Sequence, residues 1–186
     1  MLWQMQPLKI LTSWLQDHVG DKDYLFTQKD LVSLCPDLSS GAFKTLLSRA
    51  ADQGIIDRIC RGLYAYKAQS HAKGRLLFHA ASYLRSHCFN YISLETALSE
   101  AGCISQIPIN WITIMSSGRT ARISCGRFGT IEFVHTTITP SKLVDRLTYD
   151  PLCNLWRANI ELALRDMKKT HRNCDLIDWK TVHELV

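Results

Sequence analysis

The sequence predicts an α+β protein made of two domains, at residues 1–68 and 69–186. Three observations support this prediction. Apolar side chains recur at helical spacing as far as Gly54, and the chain beyond Ile55 contains short alternating runs that end at glycines, as strands do. The small polar stretch AQSHAKGR at 68–75 separates the two parts and marks the domain boundary.

Composition and charge are those of an ordinary globular chain. The 186 residues are 46% hydrophobic and 21% charged, with a net charge of +5. No apolar run approaches the roughly 20 residues that span a bilayer, and the N-terminal segment lacks the layout of a secretory signal. We therefore expect a cytoplasmic protein without a membrane partner.

The seven cysteines stand singly, and the sequence contains no C-x-x-C pair. An odd number of scattered cysteines argues against a disulfide framework, and zinc fingers need closely paired ligands. We expect most of the thiols to be buried as small apolar groups. The histidines at 71, 79 and 87 do not share one helix face, so neither a metal nor a cofactor is expected.

The first domain begins with two predicted helices. Residues 8–19 carry an apolar stripe at helical spacing that stops at Gly20. The second helix has Thr27 as its N-cap, with Asp30 three residues on, and ends at Pro36. Both patterns are typical of short amphipathic helices that pack on a common core.

A third predicted helix runs from Ser39 or Ser40 to Gly54, which takes the left-handed position that ends a helix. Its apolar residues fall on one face. The opposite face carries polar and basic side chains that suit a DNA major groove, where such groups reach base edges and phosphates. A merely solvated helix face has the same composition. The candidate DNA-contacting residues here are Lys44, Thr45, Ser48 and Arg49.

The segment GIIDRICRGLYAY at 54–66 predicts a β-hairpin with basic residues near its tip. Residues 63–66 have the composition of a strand, and Gly62 supplies the residue that a tight turn requires. A helix-turn-helix followed by such a hairpin is a winged helix, in which the hairpin lies beside the DNA backbone. Arg58 and Arg61 are therefore candidates to neutralise phosphates.

Charge in the first domain is divided along the chain. Residues 1–66 hold seven basic and seven acidic side chains, and five of the acids precede residue 38. The basic residues of the third helix and the hairpin all follow that point. Because the total is neutral, an alternative stays open in which the winged helix docks another protein and binds no DNA.

The second domain is predicted to combine helices with a small antiparallel sheet. Residues 75–88 form an apolar-striped helix, and Ser93 caps another that stops at Gly102. The run NWITIMSSGRTARISCGRFGTIEFVHT alternates as about three antiparallel strands. Two or three helices close the chain, at 151–168 and near 175–185.

Basic side chains also mark the middle strands of this domain. Arg119, Arg122 and Arg127 lie there, and residues 67–150 hold nine basic and five acidic side chains. This surface is predicted either to contact phosphates or an acidic partner, or to be a solvated hairpin tip.

The sequence contains no common catalytic motif: the G-x-x-x-x-G-K-[ST] loop, H-E-x-x-H and G-x-S-x-G are all missing. Arg165 and His171 have the spacing of the catalytic pair in HEPN ribonucleases, although a basic helix end has the same composition. Glu95 is favoured in the first turn of a helix and is interpreted as structural. We predict that the protein is not an enzyme.

Two segments resemble the AbiEi family, the antitoxins and transcriptional regulators of type IV (abortive infection) toxin–antitoxin systems. LLSRAADQGIIDRICRGLYAY is similar to the last helix, wing and following strand of the family's winged helix, and YISLETALSEAGCI is similar to its h-S-L-E-T/S-A-L helix start. A thinner likeness covers roughly residues 24 to 150 and includes a helix at SKLVDRLTYD. The matched positions are Gly54, Ile55, Ile56, Arg61, Gly62, Leu63 and Tyr64, then Ile92, Ser93, Leu94, Glu95, Thr96, Ala97 and Leu98.

This resemblance implies an N-terminal winged helix-turn-helix that binds double-stranded DNA at an operator upstream of its own operon. It also implies an AbiEi-like antitoxin domain at 69–186 and a nucleotidyltransferase-like toxin, encoded alongside, that this domain counteracts. We therefore predict a DNA-binding transcriptional regulator that acts as an antitoxin, with the protein-docking module as the alternative.

Overall fold

The computed structural model describes residues 6–20, 23–67, 72, 74–105 and 110–186. The chain is a mixed α+β protein and divides into two compact units, Met1–Leu76 and Leu77–Val186. Within the predicted boundary segment, residues 68–71 and 73 lie outside the described residues, and these include the histidine at 71.

The first unit alternates helices with short strands. Its described elements are α1 (Pro7–His18), β1 (Leu25–Thr27), α2 (Gln28–Val32), α3 (Ser40–Asp52), β2 (Asp57–Cys60) and β3 (Leu63–Ala65). The strands form an antiparallel sheet in the order β1-β3-β2. The three predicted helices and the hairpin are all present, but α2 ends at Val32 and not at Pro36 as predicted. The sequence does not predict β1, because a run of three residues is too short to show alternation.

Local sequence signals explain where these helices begin and end. Thr27 accepts a hydrogen bond from the amide of Asp30, whose carboxylate accepts one from the Thr27 amide at 2.6 Å, so the predicted cap of α2 is confirmed. Ser39 accepts a hydrogen bond from the amide of Ala42 and caps α3. Gly54 adopts φ +69° after α3, as predicted.

The core of the first unit is built from one face of each helix. Because these faces pack inward, the opposite face of α3 is left to solvent. The completely buried side chains of the three helices are Leu11, Leu15, Leu31, Phe43, Leu47 and Ala50.

The second unit is built around a six-stranded sheet. Its described elements are α4 (Leu76–Leu84), β4 (Asn90–Ile92), α5 (Leu94–Glu100), β5 (Trp111–Ser116), β6 (Ala121–Ser124), β7 (Thr130–His135), β8 (Leu147–Asp150), β9 (Leu155–Ala158), α6 (Ile160–Lys169) and α7 (Trp179–Leu185). The strand order is β6-β7-β5-β4-β9-β8. The boundary between the two units falls at the first residue of α4.

The prediction of an antiparallel sheet is wrong, because the sheet is mixed. β5 runs parallel to β7 and β4 runs parallel to β9, whereas β6 pairs with β7 as an antiparallel hairpin. The connection after β5 crosses the end of β7, where the amide of His135 donates to the Thr120 hydroxyl and His135 Nδ1 lies 2.9 Å from the Gly118 carbonyl. Alternation of side chains predicts strands but not their direction, so this crossing is not visible in the sequence.

Two predicted helices of the second unit also differ from the structure. The helix expected at 151–168 begins only at Ile160, where Asn159 accepts a hydrogen bond from the amide of Leu162, and the residues before it form β9. The SKLVDRL segment forms two 3-10 turns followed by β8. Asp178 caps the last helix by accepting hydrogen bonds from two amides, so α7 begins later than predicted.

In the described part of the chain, no helix combines the length and the apolar character that a bilayer span requires. Five of the seven cysteines are buried, which agrees with their predicted role as small apolar groups.

Candidate nucleic-acid interface

The outward face of α3 carries the side chains that the sequence singles out for DNA contact. Along this helix, buried positions alternate with exposed ones at helical spacing, since its inner face packs in the core of the first unit. The helix is thereby fixed with one polar and basic face toward solvent. Its exposed candidates are Lys44, Thr45, Ser48 and Arg49.

Three of these four side chains have no hydrogen bond or ion pair with any described residue. Thr45 is the exception, because its hydroxyl donates to the Gly41 carbonyl one turn earlier at 3.1 Å. The Thr45 oxygen can still accept a hydrogen bond. The cationic heads of Lys44 and Arg49 are available to phosphates or base edges.

The hairpin β2–β3 holds the two remaining candidates. Arg58 lies on β2 opposite Tyr64, and Arg61 occupies the turn together with Gly62, whose φ is +81°. Both arginines are exposed, whereas Ile59 between them is buried. The register shifts between Arg58 and the end of β2, which marks a bulge in the strand. The hairpin therefore turns an apolar side inward and its arginines outward.

Most acidic side chains of the first unit precede α3, but Asp52 and Asp57 lie on α3 and β2. The carboxylate of Asp30 is occupied by the Thr27 amide and hydroxyl, at 2.6 Å and 2.8 Å. Asp52 at the end of α3 is exposed, and Asp57 precedes Arg58 on β2. On α3 and the hairpin together, the four basic side chains therefore outnumber the two acids.

In the second unit, the three predicted basic side chains lie along β6 and the loops at its ends. Arg119, Arg122 and Arg127 are all exposed. The guanidinium carbon of Arg122 lies 5.5 Å from the ring centroid of Trp111, and that of Arg127 lies 4.9 Å from the ring of Phe128.

A partly buried chain of ion pairs in the second unit is not evident from the sequence. Arg172 Nη1 lies 3.3 Å from Glu95 Oε1, and its Nη2 lies 3.0 Å from Glu132 Oε1. Arg122 Nε donates to the same Glu132 oxygen at 3.1 Å. Burial raises the pKa of Glu132, but hydrogen bonds from Arg172 and Arg122 outweigh it and hold that pKa below its ordinary value. Glu95, interpreted as structural, thus belongs to a series of ion pairs that connects α5 to β7 through Arg172.

Asp166 on α6 is a second polar group that sequence reasoning missed. Its side chain is fully buried, and Oδ2 accepts hydrogen bonds from the Tyr91 and Ser93 hydroxyls, both at 2.9 Å. Burial raises the pKa of Asp166, and the two hydroxyls offset part of that rise. Ser93 stands at the N-cap of α5 as predicted, but its hydroxyl is donated to Asp166 and not used for capping. No local signal links residues more than 70 positions apart.

Arg165 and His171, the pair with ribonuclease-like spacing, lie in different surroundings. Nε and Nη2 of Arg165 are enclosed and have no hydrogen-bond partner, and the charge of Arg165 offsets part of the rise that burial causes in the pKa of Asp166. His171 is exposed after the end of α6, with φ +54°. Among the described residues, no hydrogen bond joins these two side chains. No set of three or more His, Cys, Asp or Glu side chains within the same residues is placed to hold a metal ion.

No protein-family model and no curated protein matches this chain.

Proposed function

We propose that this protein is a DNA-binding transcriptional regulator whose first unit acts as a winged helix. The observation that supports the proposal is the outward face of α3, which carries Lys44, Thr45, Ser48 and Arg49 into solvent, followed by a hairpin with Arg58 and Arg61 exposed. A helix buried on one side and polar and basic on the other suits insertion into a major groove.

In this proposal, the two elements divide the work of binding. Lys44, Thr45, Ser48 and Arg49 reach base edges and phosphates in the major groove. Arg58 and Arg61 neutralise backbone phosphates beside it, which gives affinity without sequence preference. The residues on the helix therefore supply specificity, and those on the hairpin supply salt-dependent affinity.

The AbiEi resemblance extends this proposal to a biological role. The protein represses its own operon from an upstream operator in the cytoplasm and serves as the antitoxin of a type IV system. The second unit counteracts a nucleotidyltransferase-like toxin encoded alongside. This chain itself performs no catalysis in that role.

A gel shift with the intergenic DNA upstream of the gene tests the proposal. At physiological salt and with competitor DNA present, we expect a specific complex. Lys44→Ala weakens this complex and reduces the difference in affinity between operator and unrelated DNA, because a contact to a base is lost. Such a contact contributes about 1–3 kcal/mol to the discrimination between bases. Lys180→Ala, the same change at an exposed site on α7, serves as the control.

The alternative function is a protein-docking module that uses the same surface without DNA. The balance of seven basic and seven acidic side chains in residues 1–66 favours it, since a balanced segment attracts a polyanion weakly at long range. Absence of any shift under the conditions above supports this alternative and refutes the DNA-binding proposal.

A further inference from the structure

Strand β6 presents an open backbone edge. Within the part of the chain that the structure describes, β6 is an outer strand of the sheet, with β7 as its neighbour on one side. The amide of Cys125 donates to the carbonyl of Gly129 at the closed end of this hairpin. Because bonded and non-bonded pairs alternate in an antiparallel ladder, the backbone groups of Ser124 and Arg122 face away from β7. Both residues are exposed, so a further strand has donors and acceptors to pair with.

The same edge is cationic. Arg119, Arg122 and Arg127 lie on β6 and at its two ends, and all are exposed. Residues 101–144 contain Glu132 as their single carboxylate, and that side chain is 4% exposed. One of its oxygens is already shared by Arg122 and Arg172. This segment of chain therefore carries three exposed arginines and no exposed acid of its own, which makes the edge complementary to an acidic partner.

Neighbouring side chains hold two of these arginines in position. Trp111 underlies the guanidinium of Arg122 and Phe128 underlies that of Arg127, at 5.5 Å and 4.9 Å between the guanidinium carbon and the ring centroid. Arg122 is further held through Nε by Glu132, while its side chain stays 66% exposed. A guanidinium positioned in advance loses less conformational freedom when it binds a carboxylate.

We infer that this β6 edge is a docking site for an acidic, extended peptide segment of a partner protein, which adds to the sheet as a strand. Its backbone pairs with Arg122 and Ser124, and carboxylates at alternate positions contact the three guanidinium groups. A nucleic acid would use the arginines but not the outward-facing amides and carbonyls, so the combination favours a peptide. The site uses residues of the second unit only and goes beyond the DNA-binding proposal.

Anisotropy titrations with the full-length protein test this inference. The probe is a fluorescein-labelled peptide of alternating Glu and Thr. Matched probes are the same peptide N-methylated along one backbone edge, a version with Lys in place of Glu, and a labelled single-stranded oligothymidine. We expect the acidic peptide to bind and the N-methylated and Lys versions to bind at least about tenfold more weakly, since each lacks one of the two sets of contacts.

Protein variants separate the backbone contacts from the charge contacts. Ser124→Pro removes an amide that faces away from β7, so the β6–β7 ladder is kept while strand addition is blocked, and binding weakens at least about tenfold. The Arg119→Gln, Arg127→Gln double variant also weakens binding. The Lys168→Gln, Lys180→Gln double variant makes the same charge change at exposed helix sites and leaves binding unchanged.

Three results overturn the inference. One is the absence of peptide binding at physiological salt. The second is equal affinity for the N-methylated and unmodified peptides, which remains decisive even if Ser124→Pro fails to fold. The third is arginine-dependent binding of oligothymidine without peptide binding, which assigns the edge to nucleic acid.

Discussion

Asp166 is a buried carboxyl group whose hydrogen bonds come from two neutral hydroxyls, those of Tyr91 and Ser93. Because burial raises its pKa in the folded protein, ionisation at higher pH favours the unfolded chain. Its contribution to stability is complete below the ordinary Asp value of about 4 and is lost as pH rises through the raised value.

Replacing this carboxyl group by a neutral amide should therefore change how stability depends on pH. Asp166→Asn keeps an oxygen that accepts from Tyr91 and Ser93, so we expect its free energy of unfolding to improve relative to wild type as pH rises from about 4 to about 8. Urea unfolding at the two pH values measures this, with the exposed Asp175→Asn as control. The prediction is contradicted if the free energy of unfolding of Asp166→Asn differs from that of wild type by the same amount at both pH values.

The stability that Glu132 contributes changes with pH in the opposite direction, because its arginine partners hold its pKa below the ordinary value. The stability it contributes is present above the ordinary Glu value of about 4.3 and is lost as pH falls through the lowered one. We expect Glu132→Gln to cost about 1.5–3 kcal/mol at neutral pH, the range for hydrogen bonds to charged groups, and less in acid. A cost that grows as pH falls, measured by urea unfolding, argues against the Arg122 and Arg172 contacts.

At the level of elements, two glycines of the proposed interface differ in backbone conformation. Gly62 in the hairpin turn has φ +81°, where an L side chain is strained although space is open. Gly41 lies in the first turn of α3 and has open space around its Cα. The turn therefore needs a glycine, while the helix does not.

Alanine at each position should shift stability in opposite directions. We expect Gly62→Ala to lower the free energy of unfolding by about 1–2 kcal/mol, the cost of left-handed backbone for an L residue. Gly41→Ala should raise it by about 0.4–1 kcal/mol, because alanine restricts the unfolded chain and favours the helix. Chemical denaturation of both variants measures the effects. Equal losses at the two sites would show that α3 or the turn is not as described.

Elements determined by neighbouring residues are the ones that sequence predicts well. The ends of α3 follow from Ser39 and Gly54, and the exposure of the six candidate DNA-contacting residues follows from helix period and hairpin register. The sequence predicts a helix over the residues of β9, because four residues are too few to distinguish the periods of helix and strand. The ion pairs of Arg172 join segments far apart in the chain, so no local pattern predicts them.

On the scale of the whole molecule, net charge is divided unevenly along the chain. Residues 1–66 are balanced, so the net charge of +5 arises from the remainder of the chain. Residues 1–66, which include α3 and the hairpin, therefore attract DNA only weakly at long range, and the proposed affinity depends on a few local contacts. Removing one phosphate-contacting arginine should then cost a large fraction of the total DNA-binding free energy.

The salt dependence of DNA binding by Arg61→Ala tests the proposed function most directly. Full-length wild type, Arg61→Ala and Lys180→Ala are titrated with the upstream duplex over a range of KCl concentrations. We predict that Arg61→Ala weakens binding to all sequences and reduces the slope of log Kd against log salt by about one unit, whereas Lys180→Ala matches wild type. Identical affinity and slope for wild type and Arg61→Ala would contradict the placement of the hairpin on DNA.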